Sequence, residues 1–163
     1  MKHTRFAAIA GLALVLLFSM GLLASPAKAT PPEDLNFVTT TVYDVRQGPP
    51  SISGNWTAYG FINSSGDAMV DAFHAGWNDA GLWLKTAHTI EVFNDSQGSI
   101  TLEAQITNIS GRNPISGTGH WVIKDGTGVY ANLHGQGTVS IYGELTFPYL
   151  TIESEYAGIG HND

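Results

Sequence analysis

The sequence predicts an all-β protein: a single antiparallel eight-stranded β-barrel after a cleaved signal peptide. Three observations carry that expectation. From residue 36 onward apolar and polar residues alternate with period two, and no window shows a helical stripe. Val, Ile, Thr, Tyr and Trp are frequent in these runs, and clusters of Gly, Asn, Asp and Ser separate them. Eight such runs follow one another, and closing them into a barrel removes the sheet edges that invite aggregation. A β-sandwich is the alternative.

The first 29 residues read as a signal peptide. Lys2, His3 and Arg5 form a basic start, residues 6–23 are apolar, and Ala27-Lys28-Ala29 supplies the small-x-small pattern for cleavage. The run is near the lower limit for spanning a bilayer, so a membrane anchor is the weaker reading. Export to the periplasm or medium is therefore expected. Cleavage leaves Arg46, Lys85, Arg112 and Lys124 against fourteen Asp and Glu, a net charge of −10. Such a surface repels nucleic acid and anionic lipid, so neither nucleic acid nor membrane is an expected partner after cleavage. The chain has no cysteine, which excludes disulfides and thiolate metal sites.

Residues 30–35 (TPPEDL) are expected as a flexible leader, and residues 36–156 as the barrel domain. Its strands are assigned to residues 36–44, 53–62, 67–74, 82–93, 99–109, 118–124, 136–147 and 149–156. Residues 46–50, 63–66, 75–81, 94–98 and 110–117 connect them, and Pro148 marks a corner. The small, polar residues 157–163 are expected as a loose tail.

Alternation assigns the faces. Ile100, Leu102, Ala104 and Ile106 face inward with Glu103 outside. Trp121 and Ile123 face inward, with His120 and Lys124 in water. Val139, Ile141, Leu145 and Phe147 share a face, as do Leu150 and Ile152. On residues 82–93, Leu82, Leu84, Ile90 and Val92 are placed inside together with Thr86 and His88.

The stretch 117–138, GTGHWVIKDGTGVYANLHGQGT, is dense in glycine. Gly126 and Gly128 permit a positive φ where the strand must turn. Tyr130 to Leu133 is long enough for one helical turn that plugs or rims a barrel end. Gly135 and Gly137 mark a bulge or close backbone approach. No Lys or Arg follows the glycines and no long helix opens from them, which argues against phosphate binding. The block GTGVYANLHGQGT resembles the pattern G-T-G-x-Y-A-x-L-x-G-x-G-T of the barrel superfamily that includes allene oxide cyclase and the dirigent proteins, with small secreted bacterial members. The aromatic strand Gly119 to Ile123 and the hairpin from Ser96 to Leu102 are also similar. The resemblance implies an eight-stranded barrel with an apolar lumen. The family's functional residues cannot be aligned to this chain.

Few residues stand out for chemistry. His88, on what reads as an apolar face, is the one catalytic suspect, as an acid, base or ligand-orienting group. A core histidine bonded to Thr86 or to a carbonyl is the alternative. His74 is expected opposite residues 82–84, away from His88, and the five histidines beyond residue 29 show no ligand spacing, so no metal and no cofactor is implied. Trp56, Trp77, Trp83 and Trp121 are many tryptophans for one domain; they cap the barrel ends or stack on a ligand at its mouth. Trp56, Thr86, His88, Trp121 and Tyr130 form the candidate ligand-binding set. No serine lies in a nucleophile elbow.

Three functions follow as expectations. The first is a non-catalytic binding or interaction module for a small hydrophobic ligand. The second, implied by the resemblance, is a cyclase or isomerase that confines a lipophilic substrate. The third is a structural module with a solid core. The balance falls against an enzyme, because no inward carboxylate is placed by the alternation.

Overall fold

The computed structural model describes residues 31–47, 52–77 and 84–163. The expected signal peptide, Leu82 and Trp83 lie outside these residues. Nine strands form one sheet: β1 (Glu33–Asp44), β2 (Ile52–Gly60), β3 (Ser64–Trp77), β4 (Leu84–Asn94), β5 (Ser99–Ile106), β6 (Ser110–Gly111), β7 (Ile115–Gly126), β8 (Leu133–Thr146) and β9 (Tyr149–Asn162). Every pairing is antiparallel. The ladder runs β5-β4-β3-β2-β1-β9-β8-β7, and a β5–β7 pairing closes it into an eight-stranded barrel. The two-residue β6 lies outside the ring, paired only to β7. The all-β barrel expected from the alternation is the observed architecture.

Both chain ends depart from expectation. β1 begins at Glu33, inside the expected leader, and Leu35 is fully buried. The expected loose tail is the last third of β9. It pairs with β1 through Gly160 and with β8 through Asn162. Its glycines are closely packed: a Cβ on Gly160 would come within 2.6 Å of Leu35 Cδ2. Smallness reads as looseness in a sequence, but here it is close packing. β3 also runs three residues past the expected loop start, to Trp77.

Two β-bulges decide which side chains enter the lumen. Val70 opposes Glu91 while Ala72 opposes Ile90, so Asp71 is an extra residue on β3. Gly76 opposes Thr86 while Trp77 opposes Leu84, so Lys85 is an extra residue on β4. A bulge reverses the alternation beyond it. Leu84 faces the lumen as expected. After Lys85, however, Ala87, Thr89, Glu91 and Phe93 are buried inside, and Thr86, His88, Ile90 and Val92 turn outward. The placement of Thr86, His88, Ile90 and Val92 inside is therefore corrected.

The lumen has two halves. One is packed solid around Phe37, whose ring centroid lies 5.5 Å from Phe93, 5.6 Å from Trp121, 6.2 Å from Trp56 and 6.4 Å from Tyr156. Trp56 stacks on Phe93 and donates Nε1–H to the Asn94 carbonyl at 3.1 Å. The glycine-rich block seals this end. Gly128 adopts φ +61°, and a single 3₁₀ turn, Gly128–Tyr130, carries the buried Tyr130 across it. The Tyr130 hydroxyl and the Ser64 hydroxyl both donate to Asp95 Oδ2, and the Gln97 and Gly98 amides donate to Asp95 Oδ1.

Burial alone would raise the Asp95 pKa, but these four bonds together outweigh it and hold the carboxyl below its ordinary value. A depressed carboxylate stabilises the fold above its unfolded pKa, and that contribution is lost as pH falls through the folded value. Asp95→Asn is expected to cost roughly 1 kcal/mol at neutral pH. The difference from wild type should shrink below about pH 4, as read by denaturant unfolding across pH.

Candidate functional site

Beyond Tyr156 the barrel widens. A cavity of 430 Å³ occupies the other half, walled among others by Val70, Phe73, Ala75, Ile106, Ile141 and Ile152. The outermost wall residues are Tyr43, Trp77, Leu84, Ile115 and Leu150, near strand ends on one side of the barrel. This end is the mouth, and the aromatic cluster around Phe37 closes the other.

A small polar cluster sits at the inner end of this apolar space, made of Glu91, Tyr156, Thr89 and Ser154. Glu91, brought inward by the Lys85 bulge, is buried and lines the cavity. Its Oε1 accepts a hydrogen bond from the Tyr156 hydroxyl at 2.8 Å and from the Thr89 hydroxyl at 3.0 Å. Desolvation raises the Glu91 pKa, and the two donated bonds only partly oppose it. The Tyr156 phenol is pushed well above its ordinary value by burial and by the adjacent Glu91, with the Ser154 and Thr39 hydroxyls nearby. Thr39 is buried deep beside the site.

Burial shifts Glu91 toward its neutral form, and with Oε1 taking both donated bonds, a proton on the carboxyl would sit on Oε2. An apolar cavity with a few placed polar groups is the usual form of a small-molecule site. Among the described residues of the wall, the ionisable groups besides Glu91 are the phenols of Tyr43 and Tyr156.

The structure places none of the five candidate ligand residues in this wall. Trp56 and Trp121 are buried in the solid half, and Trp121 Nε1 has no hydrogen-bond partner. Tyr130 belongs to the plug. Thr86 and His88 lie on the outer surface. His88 Nε2 pairs with Glu103 Oε1 at 2.7 Å, and Lys124 Nζ pairs with Glu103 Oε2 at 3.0 Å. His74 is the direct neighbour of His88, with ring centroids 5.9 Å apart, rather than being displaced toward residues 82–84. The pair lies between the two bulges, where the register is displaced by one residue. Among the described residues no group of three or more His, Cys, Asp or Glu is arranged to hold a metal ion.

Glu91 and Tyr156 were both accessible to reasoning. Phe93 opposes Ile100 across the tight β4–β5 hairpin, and Glu91 opposes Leu102. The inward parity of Ile100 and Leu102 is plain in the sequence, so pairing back from the hairpin turn would have carried Glu91 inside. Counting forward from Leu84 crosses the bulge and fails. No family model, no curated protein and no solved structure matches this chain.

Proposed function

We propose that the protein binds a small lipophilic molecule bearing one hydrogen-bond-accepting oxygen, with its apolar body in the lumen and its oxygen on Glu91. The observation that carries this reading is the 430 Å³ apolar cavity ending on a buried carboxyl already held by Tyr156 and Thr89. The neutral carboxyl offers an Oε2–H donor in a desolvated setting, where a hydrogen bond is stronger than in water. A ligand carboxylate placed there would meet an acid and a phenol with no cation on the wall, so neutral ketones, ethers or epoxides fit better than fatty acids. The likeness to the allene oxide cyclase–dirigent barrels supports the same ligand class. A purely structural module would have no use for the unfilled half.

The test is displacement of the neutral fluorophore N-phenyl-1-naphthylamine. A medium-chain ketone should displace it several-fold more tightly than the alkane of equal length, in keeping with one hydrogen bond of about 1 kcal/mol. Ala75→Phe, which intrudes into the lumen, should markedly weaken fluorophore uptake. Equal affinity for ketone and alkane would remove Glu91 from the reading, and uptake unaffected by Ala75→Phe would remove the lumen.

A second reading rests on the carboxyl–phenol pair itself. A proton held in a dry lumen can be given to a strained ether oxygen and recovered after rearrangement. That is an isomerisation or cyclisation with no net redox change and no cofactor. Turnover of a lipophilic epoxide that disappears in Glu91→Gln while binding persists would establish the enzyme over the binder.

A further inference from the structure

The rim of the mouth exposes several large apolar side chains close together. Phe147, in the β8–β9 turn, is 76 % exposed, and Trp77, at the end of β3, is 59 % exposed. Leu145 and Tyr149 flank Phe147 and are also exposed. This turn is held in place: the Val45 amide donates to the Pro148 carbonyl at 2.9 Å, and Asn113 bonds both backbone groups of Leu145, at 2.8 and 3.0 Å. The exposed rings are thus presented on a braced turn, continuous with the apolar wall through Leu150 and Trp77.

Charge is distributed along the barrel axis. Among the described residues, Arg46, Lys85 and Arg112 lie toward the mouth end with three carboxylates, Asp44, Glu144 and Glu153. Asp44 is bonded to Arg46 by two side-chain contacts of 2.9 and 2.6 Å. The plugged end carries Glu33, Asp34, Asp67, Asp95, Asp125 and Asp163 against Lys124 alone. Strands of this length, even tilted, separate the two ends by roughly 30 Å, several times the screening length of about 8 Å at physiological salt. A surface touching the mouth therefore does not feel the acidic pole.

We propose that the mouth docks onto a zwitterionic phospholipid bilayer, with Phe147 and Trp77 entering the interface, so that the lumen exchanges its ligand with the membrane. This rests on the lipophilic-ligand reading above. Trp and Tyr favour the headgroup level and Phe the apolar boundary beneath it. Net charge alone predicted no membrane contact, but among the described residues the charge is placed so that the mouth is the less acidic end. A lipophilic ligand of low solubility is concentrated in membranes, and a barrel that opens onto one takes it up without passing it through water.

The barrel closes within residues 33–162, so a chain beginning at Thr30 carries the whole fold without the apolar N-terminal run. It has no cysteine, so a single one accepts a unique environment-sensitive label. With the label on Thr146→Cys at the mouth, phosphatidylcholine vesicles should brighten and blue-shift the emission. On Val129→Cys, itself exposed on the plug, they should leave it unchanged. Adding Trp77→Ser and Phe147→Ser should abolish the response at residue 146. No response at 146, or an equal response at 129, overturns the proposal. Brightening with protein concentration in the absence of vesicles would assign the rim to a second copy of the chain and would also overturn it. Fluorophore uptake in vesicle-free buffer is scored separately. Uptake without docking leaves the ligand reading standing, whereas docking without uptake removes that reading.

Discussion

Phe37→Ala is expected to cost about 3–5 kcal/mol, the upper range for truncating an aromatic core residue. For a barrel of this size that is a fall in Tm of roughly 10–20 °C. Phe37 has no exposed surface and contacts four other rings, those of Trp56, Phe93, Trp121 and Tyr156, from four different strands. Its removal leaves a void bounded by rigid rings on a closed sheet, which cannot collapse to fill it. The same truncation at Phe73, which borders the existing cavity, should cost markedly less. Thermal unfolding of the two variants checks the contrast. Equal losses would mean that the solid and open halves do not differ in packing.

Glu91→Gln is expected to reshape the pH dependence of stability. Burial makes the folded pKa of Glu91 higher than its unfolded value of about 4.5, so the folded state holds the proton more tightly. The wild type therefore gains full benefit below pH 4.5 and loses stability as pH rises toward the folded pKa, where the loss levels off. One coupled proton corresponds to about 1.4 kcal/mol per pH unit across that window. Glutamine keeps an acceptor for Tyr156 and Thr89 and does not ionise. The variant should thus gain on the wild type as pH rises above 4.5. Parallel curves for the two proteins would show that Glu91 ionises normally, and the neutral-donor reading of the lumen would fall with it. Ketone affinity should follow the same titration in the wild type and be flat with pH in the variant.

Much of the barrel could be read from residue order because its strands are joined by short turns in sequence. Each hairpin makes neighbours in the chain neighbours in the sheet, so alternation on β5, β7, β8 and β9 assigned Leu102, Trp121, Val139 and Ile152 to the interior as the structure does. The glycine block likewise became a turn and plug, since a positive φ at Gly128 and an aromatic four residues after Gly126 leave few alternatives. The candidate site was not read, for one local reason. An extra residue at Lys85 shifts β4 by one position, and a period of two converts that shift into a complete exchange of faces. His88 was carried out to water and Glu91 was carried in by the same event.

Composition and periodicity alone thus determined the fold class, the absence of disulfides and the overall acidity, because these depend on what residues are present and on their local spacing. Tertiary structure decided the rest. The Lys85 bulge forms only when β3 and β4 pair, and it selected Glu91 over His88 for the lumen. The size of the lumen depends on side chains from eight strands meeting at one axis, with bulky rings from Phe37 to Tyr156 filling one half and smaller or peripheral groups leaving the other open. The polarity of the rim depends on which turns share an end of the barrel. No linear pattern encodes those coincidences, because the residues concerned lie far apart in the chain, Glu91 and Tyr156 by 65 positions.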